Sequence, residues 1–206
     1  MTTLAIFSNK GGVGKTAAAV NLSYLAARTG AKTLICDLDP QGSATYYFRV
    51  KPKLKSGPKG FVKGAKGVYK SVKGTDFDNL DILPADFSLR KLDILYSKFG
   101  NSKKQLKLLL YPFACEYRLI ILDCPVTIGI LAENILTAAD YILVPMIPTT
   151  LSVRTFNQLL AFAKKKRYDA AKIYPFFSMV DRHKKMHREL MLNVSKGFKR
   201  VLPSFI

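Results

Sequence analysis

The chain has 206 residues, 49% hydrophobic and 23% charged, which is ordinary for one folded domain and leaves little room for a second. No apolar run reaches the roughly 20 residues of a membrane span, and the N-terminus lacks the length and charge of a secretory signal. Three cysteines without a C-x-x-C spacing predict reduced thiols in a cytoplasmic protein. The formal net charge of +19 indicates a polyanionic partner, either nucleic acid or an anionic membrane surface.

Apolar, β-branched runs alternate with helical patterns along the chain. Strands are predicted at residues 4–8, 33–37, 80–84, 119–123, 141–145 and 173–180, and helices at 16–28, 88–96, 103–112, 130–138, 153–166 and 186–198. This alternation, with strands that are apolar throughout, predicts an α/β fold in which a mostly parallel sheet has helices on both faces. Ligands of such sheets bind at the carboxyl ends of the strands.

The positive charge is concentrated in two segments. Residues 49–73 contain nine Lys or Arg and no acid, and residues 164–200 contain twelve against three acids. The first segment is rich in Gly and Pro, which predicts a basic insertion of loops or short elements at about 49–75, outside the core. In the second, apolar residues recur every four positions from Met186 to Phe198 and predict an amphipathic helix with basic flanks.

The strongest motif lies between the first predicted strand and the first predicted helix. Residues 10–16 read Lys-Gly-Gly-Val-Gly-Lys-Thr. The glycines allow backbone N–H groups to curl round a phosphate, and the helix N-terminus adds partial positive charge, which predicts a P-loop NTPase-like fold. Lys15 is expected to reach the β- and γ-phosphates of a nucleotide, and the Thr16 hydroxyl to bind Mg²⁺. The predicted nucleotide-binding residues are Gly11, Gly12, Val13, Gly14, Lys15, Thr16, Ala17 and Pro145.

Acidic residues end two further predicted strands. Asp37 and Asp39 follow the second strand, where one carboxylate can position a water for in-line attack and the other can act through the Mg²⁺ shell. Asp123 ends the apolar run 119–123, a Walker B pattern that is weak alone because any buried strand can end in Asp. The predicted metal site is Thr16, Asp37 and Asp123, with the carboxylates acting directly or through water.

Together these motifs resemble the ParA/MinD family of deviant Walker ATPases. The resemblance rests on residues 10–16, on Asp-Leu-Asp-Pro-Gln-Gly at 37–42, on Leu-Asp-Cys-Pro at 122–125 and on Val144-Pro145, and it extends to about residue 190 with one basic insertion. Leu-Pro-Ala-Asp at 83–86, Ile-Pro-Thr-Thr-Leu-Ser at 147–152 and Phe-Phe-Ser-Met-Val-Asp at 176–181 are similar to the ParA branch, which positions plasmids, chromosomes or protein cargo.

The resemblance implies a mechanism and a set of partners. Lys10 is the signature lysine that crosses into the partner subunit's site, so two ATP molecules are sandwiched in a homodimer, and Lys10, Lys15 and Asp39 are the catalytic residues. The dimer binds non-specific DNA on the nucleoid, and an adaptor of the ParB or cargo-adaptor type stimulates weak ATP hydrolysis. The candidate DNA-binding residues are Arg154, Lys164, Lys165, Arg182, Lys184, Lys185, Arg188, Lys199 and Arg200.

Two features depart from the family pattern. Val126 follows Pro125 where a second proline is usual, and the chain stops at Ile206, where relatives continue with a turn over the adenine and a helix, so a single domain with a shortened C-terminus is expected.

Three other interpretations stay open. A MinD-like membrane switch would carry its amphipathic helix later than residues 186–198, so no stable membrane association is expected. A metabolic relative would be an amidating or carboxylating enzyme, or an iron–sulfur reductase, for which Cys124 lacks an evident second cysteine. A degraded P-loop protein that binds DNA without hydrolysing ATP would not need Asp37, Asp39 and Asp123, and their presence argues against this interpretation.

Overall fold

The computed structural model describes residues 1–55, 57–63 and 65–206, and within them seven strands form one sheet. The strands are β1 (Thr2–Ile6), β2 (Thr33–Asp37), β3 (Lys73–Gly74), β4 (Leu80–Leu83), β5 (Leu119–Asp123), β6 (Tyr141–Met146) and β7 (Ile173–Phe177). The α-helices are α1 (Lys15–Arg28), α2 (Ser43–Tyr47), α3 (Gly57–Lys63), α4 (Ala65–Tyr69), α5 (Leu92–Ser97), α6 (Gln105–Leu110), α7 (Ile130–Ala138), α8 (Thr150–Lys165) and α9 (Lys185–Gly197). Short 3₁₀ turns cover Phe87–Lys91, Ser102–Lys104, Tyr111–Cys115 and Ala170–Lys172.

The strand order in the sheet is β3-β4-β2-β5-β1-β6-β7. Every neighbouring pair is parallel except β3 with β4, which is antiparallel. The carboxyl ends of β1, β2 and β5 therefore lie side by side at one edge of the sheet, where ligands of α/β proteins bind. The prediction of a mostly parallel sheet of the P-loop kind is confirmed.

Successive residues of the central strands point to opposite faces and enter two separate cores. In β2, Leu34 and Cys36 join one core, and Ile35 joins the other; all three are fully buried. Ala18 and Ala19 of α1 pack on the Ile35 face, and α5 to α8 contribute to the opposite core. A strand buried on both faces needs no polar alternation, which explains the continuous apolar runs in the sequence.

Element boundaries differ from the predictions where local capping decides them. The strand predicted to reach residue 180 ends at Phe177, because Met179 adopts a left-handed φ of 54°. The helix predicted from residue 153 begins at Thr150, because the Thr149 hydroxyl accepts a hydrogen bond from the Ser152 N–H. The helices predicted at 88–96 and 103–112 are each partly 3₁₀.

The prediction that the basic segment at about 49–75 lies outside the core was wrong. Leu54, Phe61 and Val68 of this segment are only 6%, 1% and 2% exposed and belong to the main core. The described part of the segment contains α3, α4 and β3. Phe61 is therefore inaccessible to a ligand, and the ring of Tyr69 stacks on Phe113 with centroids 5.1 Å apart.

The last residues of the chain run alongside β7. The Leu202 N–H donates to the Pro175 carbonyl at 2.9 Å, and Phe205 forms a parallel bridge with Phe177. Among the described residues, none of the helices combines the length and the hydropathy that crossing a membrane requires.

Candidate functional site

A glycine loop joins β1 to α1 at the carboxyl edge of the sheet. Gly12 and Gly14 have φ values of 69° and 87°, in the left-handed region that glycine adopts without strain. A Cβ at Gly14 would also lie 3.0 Å from the Ser178 hydroxyl oxygen, whereas Gly11 and Gly12 face open space. The loop therefore packs against the protein at Gly14 and faces solvent at Gly11 and Gly12. An anion-binding loop at a helix N-terminus needs such an accessible side.

The two lysines of the loop have different surroundings. Lys15, at the first position of α1, is 8% exposed, and its Nζ donates to the Lys10 carbonyl oxygen at 3.2 Å. Burial lowers the pKa of Lys15, and the nearby carboxylates of Asp123 and Asp39 oppose that shift. Lys10 is half-buried, and its Nζ donates to the hydroxyl of Ser152 on α8 at 3.0 Å. No local sequence pattern predicts this partner, which lies 142 positions away in the chain.

Three predicted acids meet at the ends of β2 and β5. Asp37 is opposite Asp123 in the register of the two strands, and both are fully buried. Asp39 lies two residues beyond the strand and is half-buried, and its Oδ1 accepts a hydrogen bond from the Gln41 N–H at 2.9 Å. The structure therefore brings these acids together beside the glycine loop.

Asp37 is held by Thr45, a residue that the sequence analysis missed. One carboxylate oxygen of Asp37 accepts hydrogen bonds from the Thr45 N–H at 2.8 Å and from its hydroxyl at 2.7 Å. The same hydroxyl accepts from the Ala85 N–H at 2.8 Å, which links α2 to the end of β4. Burial raises the pKa of Asp37, and these bonds oppose the rise. A threonine in a five-residue helix carries no pattern that would predict this role.

Asp123 is different, because neither of its carboxylate oxygens has a hydrogen-bond partner among the described residues. Burial, together with the neighbouring Asp37, raises the pKa of Asp123 to about 7 against the opposing effects of Thr16 and Lys15. A buried, unpaired carboxylate is unfavourable unless a cation completes the site. This geometry fits a divalent cation held near Thr16, Asp37 and Asp123.

The oxygen atoms of Thr16, Asp37 and Asp123 suit Mg²⁺, which keeps part of its water shell, better than they suit a metal that is bound by side chains alone. No cluster of three or more His, Cys, Asp or Glu with metal-binding geometry occurs in residues 1–55, 57–63 and 65–206. Mg²⁺ usually keeps several waters and takes only one or two carboxylates together with phosphate oxygens. The absence of a complete protein cage is therefore compatible with this ion.

Asp123→Asn is expected to flatten the pH dependence of stability in Mg²⁺-free buffer. The folded pKa of about 7 lies above the ordinary value of 3.8, so the stability contributed by protonated Asp123 is full below pH 4 and is lost as the pH rises through 7. Urea denaturation with a chelator should show Asp123→Asn gaining roughly 3 kcal/mol relative to wild type between about pH 4 and pH 8. The exposed Asp76→Asn is the control, and parallel profiles for all three proteins would contradict the expectation.

The remaining predicted nucleotide residues occupy different parts of the loop region. Val13 is buried under the loop, Thr16 is half-buried and Ala17 is exposed on α1. Pro145 is buried beside Lys10 and Ser152, and the cavity that these residues line has a volume of about 10 Å³. A cavity of that size holds no more than one water, so the geometry adds no support for a contact between Pro145 and a nucleotide.

The candidate DNA-binding residues are almost all exposed, and Arg200 is the half-buried exception. Four of them already have partners within the chain. Lys184 pairs with Asp181 at 3.5 Å and Lys185 with Glu189 at 3.7 Å, while the guanidinium groups of Arg182 and Arg200 lie over aromatic rings. Within the part of the chain that the structure describes, the candidates without an ion pair or ring contact are Arg154, Lys164, Lys165, Arg188 and Lys199.

Comparison with known proteins gives a consistent picture. Residues 1–172 match the AAA domain family. The sporulation initiation inhibitor protein Soj of Bacillus subtilis is 34% identical over 158 residues, which cover 76% of this chain and 62% of Soj. The chain spans 62% of the length of Soj and 51% of the length of the chromosome partitioning protein ParA of Myxococcus xanthus, to which it is 33% identical over 144 residues.

Two solved structures are similar over nearly the whole chain. Cobyrinic acid a,c-diamide synthase from Mycobacterium smegmatis, with bound ADP and magnesium, has a TM-score of 0.86 at 26% identity and covers 97% of this chain and 84% of that one. A putative plasmid partition protein from Borrelia burgdorferi, bound to AMPPNP, has a TM-score of 0.80 at 25% identity and covers 100% of this chain and 84% of that one.

Proposed function

The chain belongs to the ParA/MinD family of P-loop ATPases, and from that premise we propose that it is a weak Mg²⁺-dependent ATPase whose ATP-bound homodimer partitions or positions DNA or protein cargo. The observation that carries the proposal is the meeting of Lys15, Asp37, Asp39 and Asp123 around an open glycine loop. The ADP, magnesium and AMPPNP in the two similar structures support ATP and Mg²⁺ as the ligands.

The glycine loop and the buried acids bind different parts of the ligand, the nucleotide phosphates and the Mg²⁺ ion. The backbone N–H groups of residues 11–16 cradle the phosphates, and Lys15 neutralises charge on the β- and γ-phosphates. Thr16 would hold Mg²⁺ directly, and Asp37 and Asp123 would hold it directly or through water. When bound, the ion would neutralise charge on the phosphate oxygens. It would also be the charge partner of the buried Asp123 carboxylate.

Hydrolysis requires a positioned water and a second subunit. Asp39 is half-buried at the rim of the site, and its carboxylate orients the attacking water for in-line displacement. Lys10 crosses to the phosphates bound by the partner subunit, which makes dimerisation depend on ATP. The contact of Lys10 with Ser152 in its own chain is one hydrogen bond from a charged donor, worth about 1.5–3 kcal/mol, which contacts with a phosphate can replace.

The basic surface of α8, α9 and the residues after α9 is the proposed contact with DNA. Neutralised phosphates release counterions, so such binding is independent of sequence and sensitive to salt. Binding to DNA places the protein on the nucleoid. Hydrolysis stimulated by a ParB-type or cargo adaptor then releases the dimer from the DNA. The MinD-like alternative has less support, because Met191, Val194 and Phe198 of the amphipathic α9 segment pack against the core and leave no continuous apolar stripe for a membrane.

Co-sedimentation separates the proposal from its alternatives. Wild-type protein should sediment with DNA in ATP at low salt, and much less so in ADP, without nucleotide, or at high salt. Binding to anionic liposomes without binding to DNA would instead support the membrane switch. ATP hydrolysis that appears only when a carboxylic acid acceptor and an ammonia source are added would support an amidating enzyme.

A charge-removal variant tests the DNA surface. Lys164→Ala, Lys165→Ala and Arg188→Ala combined remove three exposed, unpaired cations. We expect the affinity for duplex DNA to fall about equally for all sequences, and the slope of log affinity against log salt to decrease by about three. The combination of Lys91→Ala and Lys98→Ala, two exposed lysines elsewhere, is the control. An unchanged slope in the triple variant would exclude this surface.

A further inference from the structure

Two tyrosines on α2 are unusually exposed. The side chains of Tyr46 and Tyr47 are 84% and 63% exposed. Within the part of the chain that the structure describes, neither ring contacts another aromatic ring and neither hydroxyl makes a hydrogen bond. Adjacent Thr45 and Phe48 are buried, so the helix is fixed and only its outer face is free. Two adjacent rings displayed in this way are accessible to a partner from outside the chain.

The surroundings of these rings are basic. Tyr46 and Tyr47 line a groove of about 470 Å³ together with Arg49, Val50, Lys51 and Pro52. The chain has no acid between Asp39 and Asp76, and Arg49 and Lys51 are exposed with no ion pair among the described residues. The groove therefore combines aromatic faces with uncompensated positive charge, and it is large enough for a planar group.

The groove has a rigid frame. The Val50 N–H donates to the Thr45 carbonyl at 3.1 Å, and the Arg49 N–H donates to the Tyr46 carbonyl at 2.9 Å. On the far side, the side chain of Leu54 is buried in the core. Because the backbone on both sides is anchored, the rings are presented without an ordering step on binding, which favours affinity.

We propose that the surface formed by Tyr46, Tyr47, Arg49 and Lys51, with the exposed Lys53 that follows Pro52 in the chain, binds single-stranded nucleic acid, with unpaired bases stacked on the two tyrosines and the phosphates near the cations. Stacking of bases on aromatic side chains beside a basic groove is the usual way in which proteins bind single strands without sequence preference. A duplex keeps its bases stacked inside and offers these rings nothing to stack on. The ligand class therefore differs from the duplex proposed for the surface of α8 and α9.

Charge and position argue against two simpler occupants. A second copy of this chain meeting the groove with the same surface would bring Arg49, Lys51 and Lys53 against their own like charges, which is unfavourable. The groove is also separate from the other basic surface, because α2 packs beside β4, where Phe48 meets Phe77 with centroids 6.3 Å apart, whereas α9 follows β7 at the opposite end of the sheet.

The test compares single-stranded and duplex DNA of mixed sequence by fluorescence anisotropy, with full-length protein. Tyr46→Ala combined with Tyr47→Ala should lower the affinity for the single strand by about tenfold or more and leave duplex affinity within about twofold. Tyr46→Phe combined with Tyr47→Phe keeps the ring faces and should bind as wild type. Tyr111→Ala, at a tyrosine that is 76% exposed on another surface, should also bind as wild type.

Three outcomes would overturn the proposal. The first is single-strand binding by the alanine pair as tight as that of wild type. The second is an equal loss of single-strand and duplex binding. The third is loss of ATP-dependent self-association, measured by light scattering, with nucleic-acid binding intact, which would make the groove an interface between subunits. Circular dichroism and thermal melting establish that each variant is folded. The anisotropy measurements are made without nucleotide and therefore do not depend on ATPase activity. The test of the groove remains interpretable if the proposed ATPase function fails.

Discussion

Lys15→Ala is expected to reduce ATP hydrolysis by about 100-fold to 1000-fold, the range for losing a donor aimed at charge that develops in the transition state. The Lys15 side chain is held at the base of the glycine loop, 3.2 Å from the Lys10 carbonyl oxygen, and the acids beside it oppose the loss of its charge. Within its own chain, Lys10 does not replace it, because the Nζ of Lys10 donates to Ser152. The loss therefore affects both phosphate binding and catalysis.

Steady-state phosphate release and binding of a fluorescent ATP analogue measure these two effects. Lys32→Ala is a matched control, since Lys32 is a half-buried lysine that pairs with Asp81 at 3.2 Å. It should retain activity within about twofold, as expected for a partly exposed ion pair. Hydrolysis by Lys15→Ala at the wild-type rate would remove the basis of the proposed nucleotide site.

Asp39→Ala is expected to give the second largest effect: ATP hydrolysis falls by about 100-fold or more, while an ATP-bound dimer accumulates. The carboxylate of Asp39 makes a local bond to the Gln41 N–H and is not part of the buried pair, so its loss should leave nucleotide binding and the fold intact. The water that attacks the γ-phosphate would lose its positioning group. Dimerisation, which depends on binding, would persist.

Light scattering with ATP, ADP and no nucleotide follows the dimer. Lys10→Ala is the informative contrast, because it should retain some nucleotide binding but stay monomeric with ATP. An Asp39→Ala protein that stays monomeric with ATP would contradict the sandwich arrangement. One that hydrolyses ATP at the wild-type rate would show that another group positions the water.

Sequence reasoning succeeded where the local pattern and the tertiary structure required the same residues. The apolar run of β5 and the glycines of residues 10–16 each have one structural explanation, and both led to the correct fold. It failed where long-range packing decides whether a residue is buried. Leu54 and Phe61 are core residues separated by lysines, glycine and proline, so their local composition resembles that of a loop.

The supporting contacts of the candidate site were the least predictable part. Thr45 reaches Asp37 across eight positions, and Lys10 reaches Ser152 across 142. Neither contact follows from helical or strand periodicity, because each depends on how separate elements meet in three dimensions. The charged and glycine residues of a site can be found from a motif, whereas the residues that orient them require the fold.

The outer strands at the two ends of the sheet affect how readily the protein aggregates. An outer strand with free backbone groups is a template on which another chain can add and aggregate. Beside β7, the Leu202 and Ile206 N–H groups occupy the Pro175 and Phe177 carbonyls, and at the other end β3 is only two residues long and contains Lys73. Neither end offers a long, flat, apolar edge. A protein that gathers at high local concentration on a polyanion can therefore remain dispersed there rather than form strand-to-strand assemblies.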